Sequence, residues 1–313
     1  MMKMKNETHI EGYLYEHTLE FKESGPNSKN PGTKFISGEV KIATDDACLN
    51  IVPVHFTYVT ANTAAGKPNA TFGTLENIVN GTFKAVMNSS KDEAAKLRID
   101  SAIGLNEFFS DRSGKEELVS AKRNEGGFVH VVTDGLVKEN DRNTFKCDML
   151  ITNVRHIDAD DEKNLPEKAI VKGAIFDFRK SLMPVEFSVL HPNAIAYFEG
   201  LEASNTNPIL TEVRGRQVSE TVVKQIVEES AFGDASVREV KNSRKDWVIT
   251  WAKQETYEWD DESTLTAAEV NEALRNREVA LAAMKQRQDE YKASKGAGPA
   301  AKATVPANSA FNF

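Results

Sequence analysis

The chain has 313 residues, 40% of them hydrophobic, so it can bury a large core and suggests about two domains. Its net charge of −8 excludes a uniformly basic protein, although a binding groove needs only a local group of basic residues. The two cysteines, Cys48 and Cys147, lack metal-ligand or disulfide spacing, and no apolar run is long enough for a signal segment or a membrane span. We therefore expect a cytoplasmic protein without a cofactor, a metal or a membrane partner.

The first elements of the chain are three predicted strands. They cover Ile10 to Phe21, Phe35 to Thr44 and Ile51 to Val59, and apolar residues recur at every second position in each. The stretch from Ser24 to Gly32 between the first two is rich in glycine, proline and asparagine, which favour turns. Period-two patterning between turn signals predicts a half-buried antiparallel sheet.

A helix and a long hairpin follow. Thr71 to Val79 has apolar residues at helical spacing and stops at Asn80-Gly81. The segment from Leu97 to Val132 alternates on both sides of a turn at Asp111 to Lys115, which predicts a β-hairpin. Another strand runs from Thr144 to Ile151, and the acidic loop from Asp158 to Pro166 predicts a domain boundary.

The order of these elements resembles the OB-fold of the single-stranded-DNA-binding protein family. The resemblance depends on the hydrophobic-x-Gly-x-Leu step from Ile10 to Leu14, on Ile42-Ala43-Thr44 and on the aliphatic-x-Val pattern Val52-Pro53-Val54. It covers about the first half of the chain, which inserts more residues between strands than the compact bacterial members. The resemblance implies a small β-barrel that binds single-stranded nucleic acid.

A second β unit begins at Lys168. Its first strand carries an aliphatic-x-Gly step at Gly173, a partner strand follows from Met183 to Leu190, and Pro192 to Leu201 predicts a short helix before further strands. The predicted fold class is mainly β with a C-terminal α-helix, comprising an OB-fold-like barrel and a second OB-like unit. The predicted divisions are an OB-like domain at 8–165, a second β-rich domain at 166–254, an acidic hinge and helix at 255–294, and a disordered tail at 295–313.

The C-terminal helix begins at a capping box, in which Thr266 precedes Glu269 by three residues. Alternating steps of four and three predict a coiled-coil-like seam, interrupted by two polar residues. The seam residues are Val270, Leu274, Arg277, Leu281, Met284, Gln288 and Tyr291. The seam could mediate self-association into a homo-oligomer or pack back on the barrel. Phe311 and Phe313 at the end of the tail are candidates for binding replication or recombination proteins, with an inert tail as the alternative.

The candidate nucleic-acid contacts are aromatic and basic residues on strands, because bases stack on exposed rings and phosphates attract Lys and Arg. Adjacent residues on a strand face opposite sides, so at least one ring of the Phe108-Phe109 pair is expected in the core. Any single ring could instead be a core residue, and a run of charges on a sheet could be a solvated face. The predicted contacts are Phe56, Tyr58, Arg98, Phe108, Phe109, Arg112, Lys115, Lys122, Arg123, Phe128, Arg214, Arg216 and Trp247.

The sequence thus favours a protein, phage-encoded or bacterial in type, that binds and protects single-stranded DNA during replication or recombination. We expect binding without sequence preference and with strong salt dependence. We do not expect an enzyme, because the six histidines are scattered and no phosphate loop, nucleophile elbow or kinase signature is present. The alternative is a structural or assembly component of a phage virion.

Overall fold

The computed structural model describes residues 4–26, 28–112, 114–160, 166–177, 179–228, 236–258 and 265–296, with only the backbone described at 220–228, 236–244 and 294–296. The protein is mainly β, as predicted. The strands are β1 (Asn6–His17), β2 (Glu20–Glu23), β3 (Lys34–Ala43), β4 (Ile51–Thr60), β5 (Lys96–Ser110), β6 (Glu117–Val131), β7 (Asn143–Ile157), β8 (Lys168–Phe176), β9 (Leu182–Val189), β10 (Ile209–Glu228) and β11 (Ser236–Ala252). The helices are α1 (Ala70–Val79), α2 (Pro192–Gly200) and α3 (Ala267–Gly296), with short 3₁₀ turns at Val86–Asn88 and Glu139–Asp141.

Strands of the first half form a closed circuit, which we call the N-terminal barrel. β1 pairs with β3, β3 with β4, β4 with β6, β6 with β5, and β5 with β1. The β4–β6 pairing is parallel and the others are antiparallel, and α1 lies between the third and fourth strands of the circuit. This is the strand order and helix position of an OB-fold, so the fold expected for the first half is confirmed.

The second half repeats this circuit as the C-terminal barrel. β7 pairs with β8, β8 with β9, β9 with β11, β11 with β10, and β10 with β7. The β9–β11 pairing is again the parallel one, and α2 again lies between the third and fourth strands. The second OB-like unit is therefore present, while the residue limits proposed for the domains stay a prediction.

Two glycines explain the aliphatic-x-Gly steps of the sequence. A Cβ at Gly12 would lie 2.0 Å from the backbone oxygen of Ala43, and one at Gly173 would lie 2.1 Å from that of Leu150. Both glycines lie where the first two strands of a barrel cross closely, next to a register shift in the pairing. Only a residue without a side chain permits this approach of two backbones.

The barrels are joined through β1 and β7, which pair in an antiparallel manner from Asn6↔Cys147 to Ile10↔Asn143. Each barrel also contacts a strand of the other barrel: β10 contacts β6 of the N-terminal barrel, and β5 contacts the core of the C-terminal barrel. The side-chain amides of Gln217 on β10 and Asn124 on β6 exchange two hydrogen bonds of 2.8 Å, and both residues are buried. In the other direction, Ile103 on β5 belongs to the apolar core of the C-terminal barrel.

Helix α3 begins at the predicted capping box, since Glu269 N–H donates to Thr266 Oγ1 at 3.3 Å. The seam packs back on the protein, and its two polar residues make the contacts. Arg277 Nη2 lies 2.5 Å from Glu107 Oε1, and the side chain of Gln288 accepts from Phe109 N–H at 3.2 Å and donates to Phe109 O at 2.6 Å. Along residues 4–296, within the ranges described above, no helix is both long and apolar enough to cross a membrane.

Candidate nucleic-acid interface

One continuous sheet surface extends across both barrels. Around the β1–β7 junction the strands follow the order β6, β5, β1, β7, β10 and β11. Ile10 and Ile99 point into the N-terminal barrel, whereas Phe145 and Val213 point into the C-terminal barrel. Register places all of these inward side chains on the same side of the six strands, because directly paired residues share a face. The alternate residues therefore form one surface on the other side, which we call the shared outer face.

A single row of paired residues crosses five strands of the shared outer face. Arg216 pairs with Thr144, Thr144 with His9, His9 with Asp100, and Asp100 with Phe128. With a spacing of about 4.8 Å between strands, the row spans roughly 19 Å. It brings Arg216 and Phe128, two predicted contacts far apart in the sequence, onto one face.

Phe128 lies at one end of the row and has the most exposed aromatic side chain among the described residues, with 71% of the residue accessible. Its neighbours on β5 and β6 are charged or polar. Asp100 is 3.2 Å from Arg98 Nε, 2.9 Å from His9 Nδ1 and 3.9 Å from His130 Nε2. The Phe128 ring is thus exposed beside the Asp100 carboxylate, which is surrounded by nitrogen atoms of Arg98, His9 and His130.

The other end of the shared outer face pairs a cation with a second ring. Arg214 Cζ lies 4.2 Å from the ring centroid of Trp251, which is 43% exposed, and the Arg214 Nη2 atom is 2.7 Å from Glu212 Oε1. Lys146 on β7 pairs with Arg214 across the strands and is half-buried. Cations therefore occupy the surface between the two exposed rings.

Tyr13 extends the same face along β1 and β5. It pairs with Lys96, whose Nζ is 5.8 Å from the tyrosine ring centroid, and the Nζ of Lys91 is 5.1 Å from the same centroid. Such cation–ring contacts leave the ammonium groups near the surface, where phosphate groups can reach them.

Residues from the connection between β6 and β7 border the face. Val137 N–H donates to Glu11 Oε1 at 2.7 Å, and Asn140 Oδ1 accepts from Arg216 Nη1 at 2.8 Å. The carboxylate of Glu11 is consequently buried, so it does not present a free negative charge among the cations.

Two buried carboxylates, those of Asp148 and Glu212, support the shared outer face. Burial raises the pKa of Asp148, which accepts from the backbone N–H of Lys5 at 2.7 Å. For Glu212, burial alone would raise the pKa, but hydrogen bonds from Lys5 and Arg214 hold it below its ordinary value. The Glu212 carboxylate is paired with both Lys5 Nζ and Arg214 Nη2, so it fixes the position of the Arg214 side chain.

One predicted contact, Phe56, is wrong because its side chain lies inside the protein, and a second, Trp247, is partly buried. Phe56 is only 1% exposed and belongs to the core of the N-terminal barrel. Trp247 is packed against the core of the C-terminal barrel, with its ring centroid 5.5 Å from that of Phe145. The Phe56 ring cannot stack with a base, whereas base contact by the partly buried Trp247 stays a prediction.

Other predicted contacts lie away from the shared outer face and already have protein partners. The Tyr58 ring centroid is 4.4 Å from that of Phe35, and Arg123 Nη2 is 2.8 Å from Glu125 Oε1. Lys122 contacts the backbone oxygen of Glu186 and lies 4.8 Å from the centroid of Phe187. Burial lowers the pKa of Lys122 to about 8, which leaves the ammonium group mostly charged at neutral pH, but its contact with the Glu186 oxygen already engages it.

Four predicted contacts, Phe108, Phe109, Arg112 and Lys115, lie at or near the tip of the β5–β6 hairpin, and α3 covers part of this tip. Lys285 pairs with Glu116 at 2.6 Å and lies 5.7 Å from the ring centroid of Phe109, which is half-buried, whereas Phe108 is exposed. The expectation that the two adjacent rings face opposite sides is consistent with this difference. Arg112 and Lys115 lie in the turn, distant in sequence and pairing from the shared outer face.

Four of the predicted residues, Arg98, Phe128, Arg214 and Arg216, are brought together on the shared outer face. Sequence reasoning missed His9, Asp100, Thr144 and Lys146 as members of it. Alternation of polar with apolar residues in β1, β5 and β7 was the available signal, but the pairing of β1 with β7 is needed to join them. Phe311 and Phe313 lie outside the described residues, so partner binding by the tail stays a prediction.

The described residues contain no group of three or more His, Cys, Asp or Glu side chains arranged to hold a metal ion. The polar groups of the shared outer face can instead contact bases and phosphates: rings for stacking, cations for phosphate oxygens, and one carboxylate that accepts hydrogen bonds. The fold and this face define a tandem OB-like β-protein.

The chain belongs to the YorF family, whose family model matches residues 5–287. A solved structure similar to it is a deletion mutant of the single-stranded DNA binding protein from Thermus aquaticus, at 10% identity and a TM-score of 0.45. That comparison covers 84% of this chain and 100% of the other. No curated protein matches the sequence.

Proposed function

We propose that this protein binds single-stranded DNA across the shared outer face. The observation that carries the proposal is the cross-strand row that connects Arg216 to the exposed ring of Phe128 through both barrels. Stacking on Phe128 and Trp251 would hold bases, and Arg98, Lys146, Arg214 and Arg216 would contact phosphates.

The net charge of the chain does not by itself oppose this function, because Glu11 and Glu212, two acidic residues of the face, are engaged by protein partners, whereas Glu7, which pairs with Lys146, is exposed. Glu11 and Glu212 are buried, the first against the backbone of Val137 and the second against Lys5 and Arg214. A phosphate that approaches Arg214 therefore meets a cation whose neighbouring carboxylate, Glu212, is already paired.

The proposal is tested by fluorescence anisotropy with a labelled oligo-dT against a duplex of the same length. We expect binding of the single strand with an affinity that falls as salt rises. For four phosphate contacts, the slope of log K against log salt is about −3, from about −0.7 for each contact with a single strand. The Arg214→Gln/Arg216→Gln double variant should make this slope less steep by about 1.4.

Stacking is tested separately by Phe128→Ala, which should weaken binding by about 1–3 kcal/mol, or about 5- to 150-fold. Phe21→Ala is the matched control, because Phe21 is 48% exposed but lies on β2, away from the shared outer face. Equal affinity of the two variants, or no binding of any single strand, would refute the proposal.

A further inference from the structure

The residue that pairs directly with Phe128 across the strands is Asp100, and His9 follows it on the next strand. Directly opposed side chains in an antiparallel pair have Cβ atoms about 5 Å apart. A base stacked on the Phe128 ring is wide enough to extend over this distance. The edge of such a base therefore lies within reach of the Asp100 carboxylate.

Asp100 retains capacity to accept a further hydrogen bond. Its Oδ1 atom is 2.9 Å from His9 Nδ1, and its Oδ2 atom is 3.2 Å from Arg98 Nε and 3.9 Å from His130 Nε2. An ionised carboxylate offers about four lone-pair sites and donates none. Arg98 compensates the charge of Asp100, so the carboxylate can lie on a surface that binds DNA.

Bases differ in what they present to such an acceptor. Cytosine presents an amino group, N4, which donates hydrogen bonds, whereas thymine presents the carbonyl oxygen O4 at the equivalent position. A carboxylate attracts the first group and repels the second. A site formed by a ring and a carboxylate can therefore discriminate between two pyrimidines of similar size and stacking ability.

We propose that Asp100 makes the Phe128 site selective for bases that present an amino group, so that cytosine binds more tightly than thymine. This inference rests on the proposed function of the shared outer face. It replaces the expectation of binding without sequence preference, which considered rings and cations but no acceptor among them.

The test compares the affinities of oligo-dC and oligo-dT of equal length for the full chain, at one salt concentration and at neutral pH. Because hydrogen bonds to charged groups are stronger than neutral ones, we expect oligo-dC to bind at least about threefold more tightly. Asp100→Asn should remove this preference, because the asparagine amide both donates and accepts. Asp289→Asn, which removes the same charge from an exposed position on α3, should retain the preference.

Equal affinity for the two oligonucleotides, or a preference that persists in Asp100→Asn, would overturn the inference and leave the proposed function intact. Absence of binding to both would overturn the proposed function and this inference with it. Circular dichroism and the midpoint of thermal unfolding establish that each variant is folded before its affinity is compared.

Discussion

The contact between Arg277 and Glu107 should determine whether α3 stays docked. The Arg277 and Glu107 side chains are 15% and 10% exposed, and Arg277 Nη1 also lies 3.3 Å from the backbone oxygen of Leu182. Arg277→Met keeps the length and helix propensity of the side chain but leaves the Glu107 carboxylate without its partner.

Loss of one partner of a fully buried ion pair costs about 3–5 kcal/mol. Partial exposure of this pair reduces the expected cost to about 2–3 kcal/mol, because water can reach the remaining carboxylate. Hydrogen exchange of the α3 amides should then become about 30- to 150-fold faster, since about 1.4 kcal/mol corresponds to a factor of ten. The measurement is hydrogen–deuterium exchange followed by mass spectrometry of peptides from α3 and from the β5–β6 hairpin.

Arg275→Met is the matched control, because Arg275 is exposed on the same helix. The double variant Arg277→Met/Glu107→Met should recover much of the lost protection, since two apolar side chains can replace a buried pair at little cost. If Arg277→Met and Arg275→Met exchange at the same rate, the ion pair does not hold α3 and the reasoning is wrong.

Two further predictions concern other contacts. Gln217→Leu should lower the free energy of unfolding by about 1–3 kcal/mol in urea titrations, because the buried side-chain oxygen of Asn124 loses its donor, while the Asn124 nitrogen keeps its bond to Pro53 O; an unchanged midpoint would contradict this. The hydrogen bond from Glu199 raises the pKa of His156, so its stabilising contribution is complete below the ordinary value of about 6.5 and is lost as the pH rises through the folded-state pKa. Thermal unfolding across this range should show that loss in the native protein and not in His156→Gln, and parallel pH profiles would exclude the effect.

The order of elements could be predicted from the sequence, but the direction of individual side chains could not. Period-two alternation identified β4 correctly, yet it does not state which of two alternating sets points into a barrel. It also does not state where along a strand the burial ends: Phe56 and Tyr58 belong to the same alternating set, yet Phe56 is buried and Tyr58 is exposed. The curvature that closes the barrel determines the inward side, and curvature depends on partners far away in the sequence.

The shared outer face shows even more clearly that the sequence alone does not give the positions of side chains relative to one another. Arg98 and Phe128 belong to one hairpin, so their proximity could be expected from local pairing. Arg214 and Arg216 join them only because β1 pairs with β7 and β7 with β10. Contacts separated by more than 100 residues carry no local pattern, so the sequence alone does not place these arginines beside Arg98 and Phe128.

The contact between α3 and the hairpin could not be predicted, because heptad-like spacing does not identify the partner of a helix. The apolar spacing of the seam is consistent both with self-association of the protein and with packing of α3 on the same chain. The polar seam positions, Arg277 and Gln288, decide between them for this chain, because their partners, Glu107 and Phe109, lie on its own β5. Homo-oligomers, a phage role and a cytoplasmic location stay predictions.

The pairing of β1 with β7 has a consequence for how the protein can be divided. A fragment that ends before β7 would leave the amides and carbonyls of residues 6–10 without their strand partner, and a fragment that begins at β7 would do the same to residues 143–147. Unpaired strand edges of this kind favour association between copies. The pairing of β1 with β7 also sets the distance between Phe128 and Trp251. It therefore sets the minimum length of a nucleic-acid strand that contacts both rings at once.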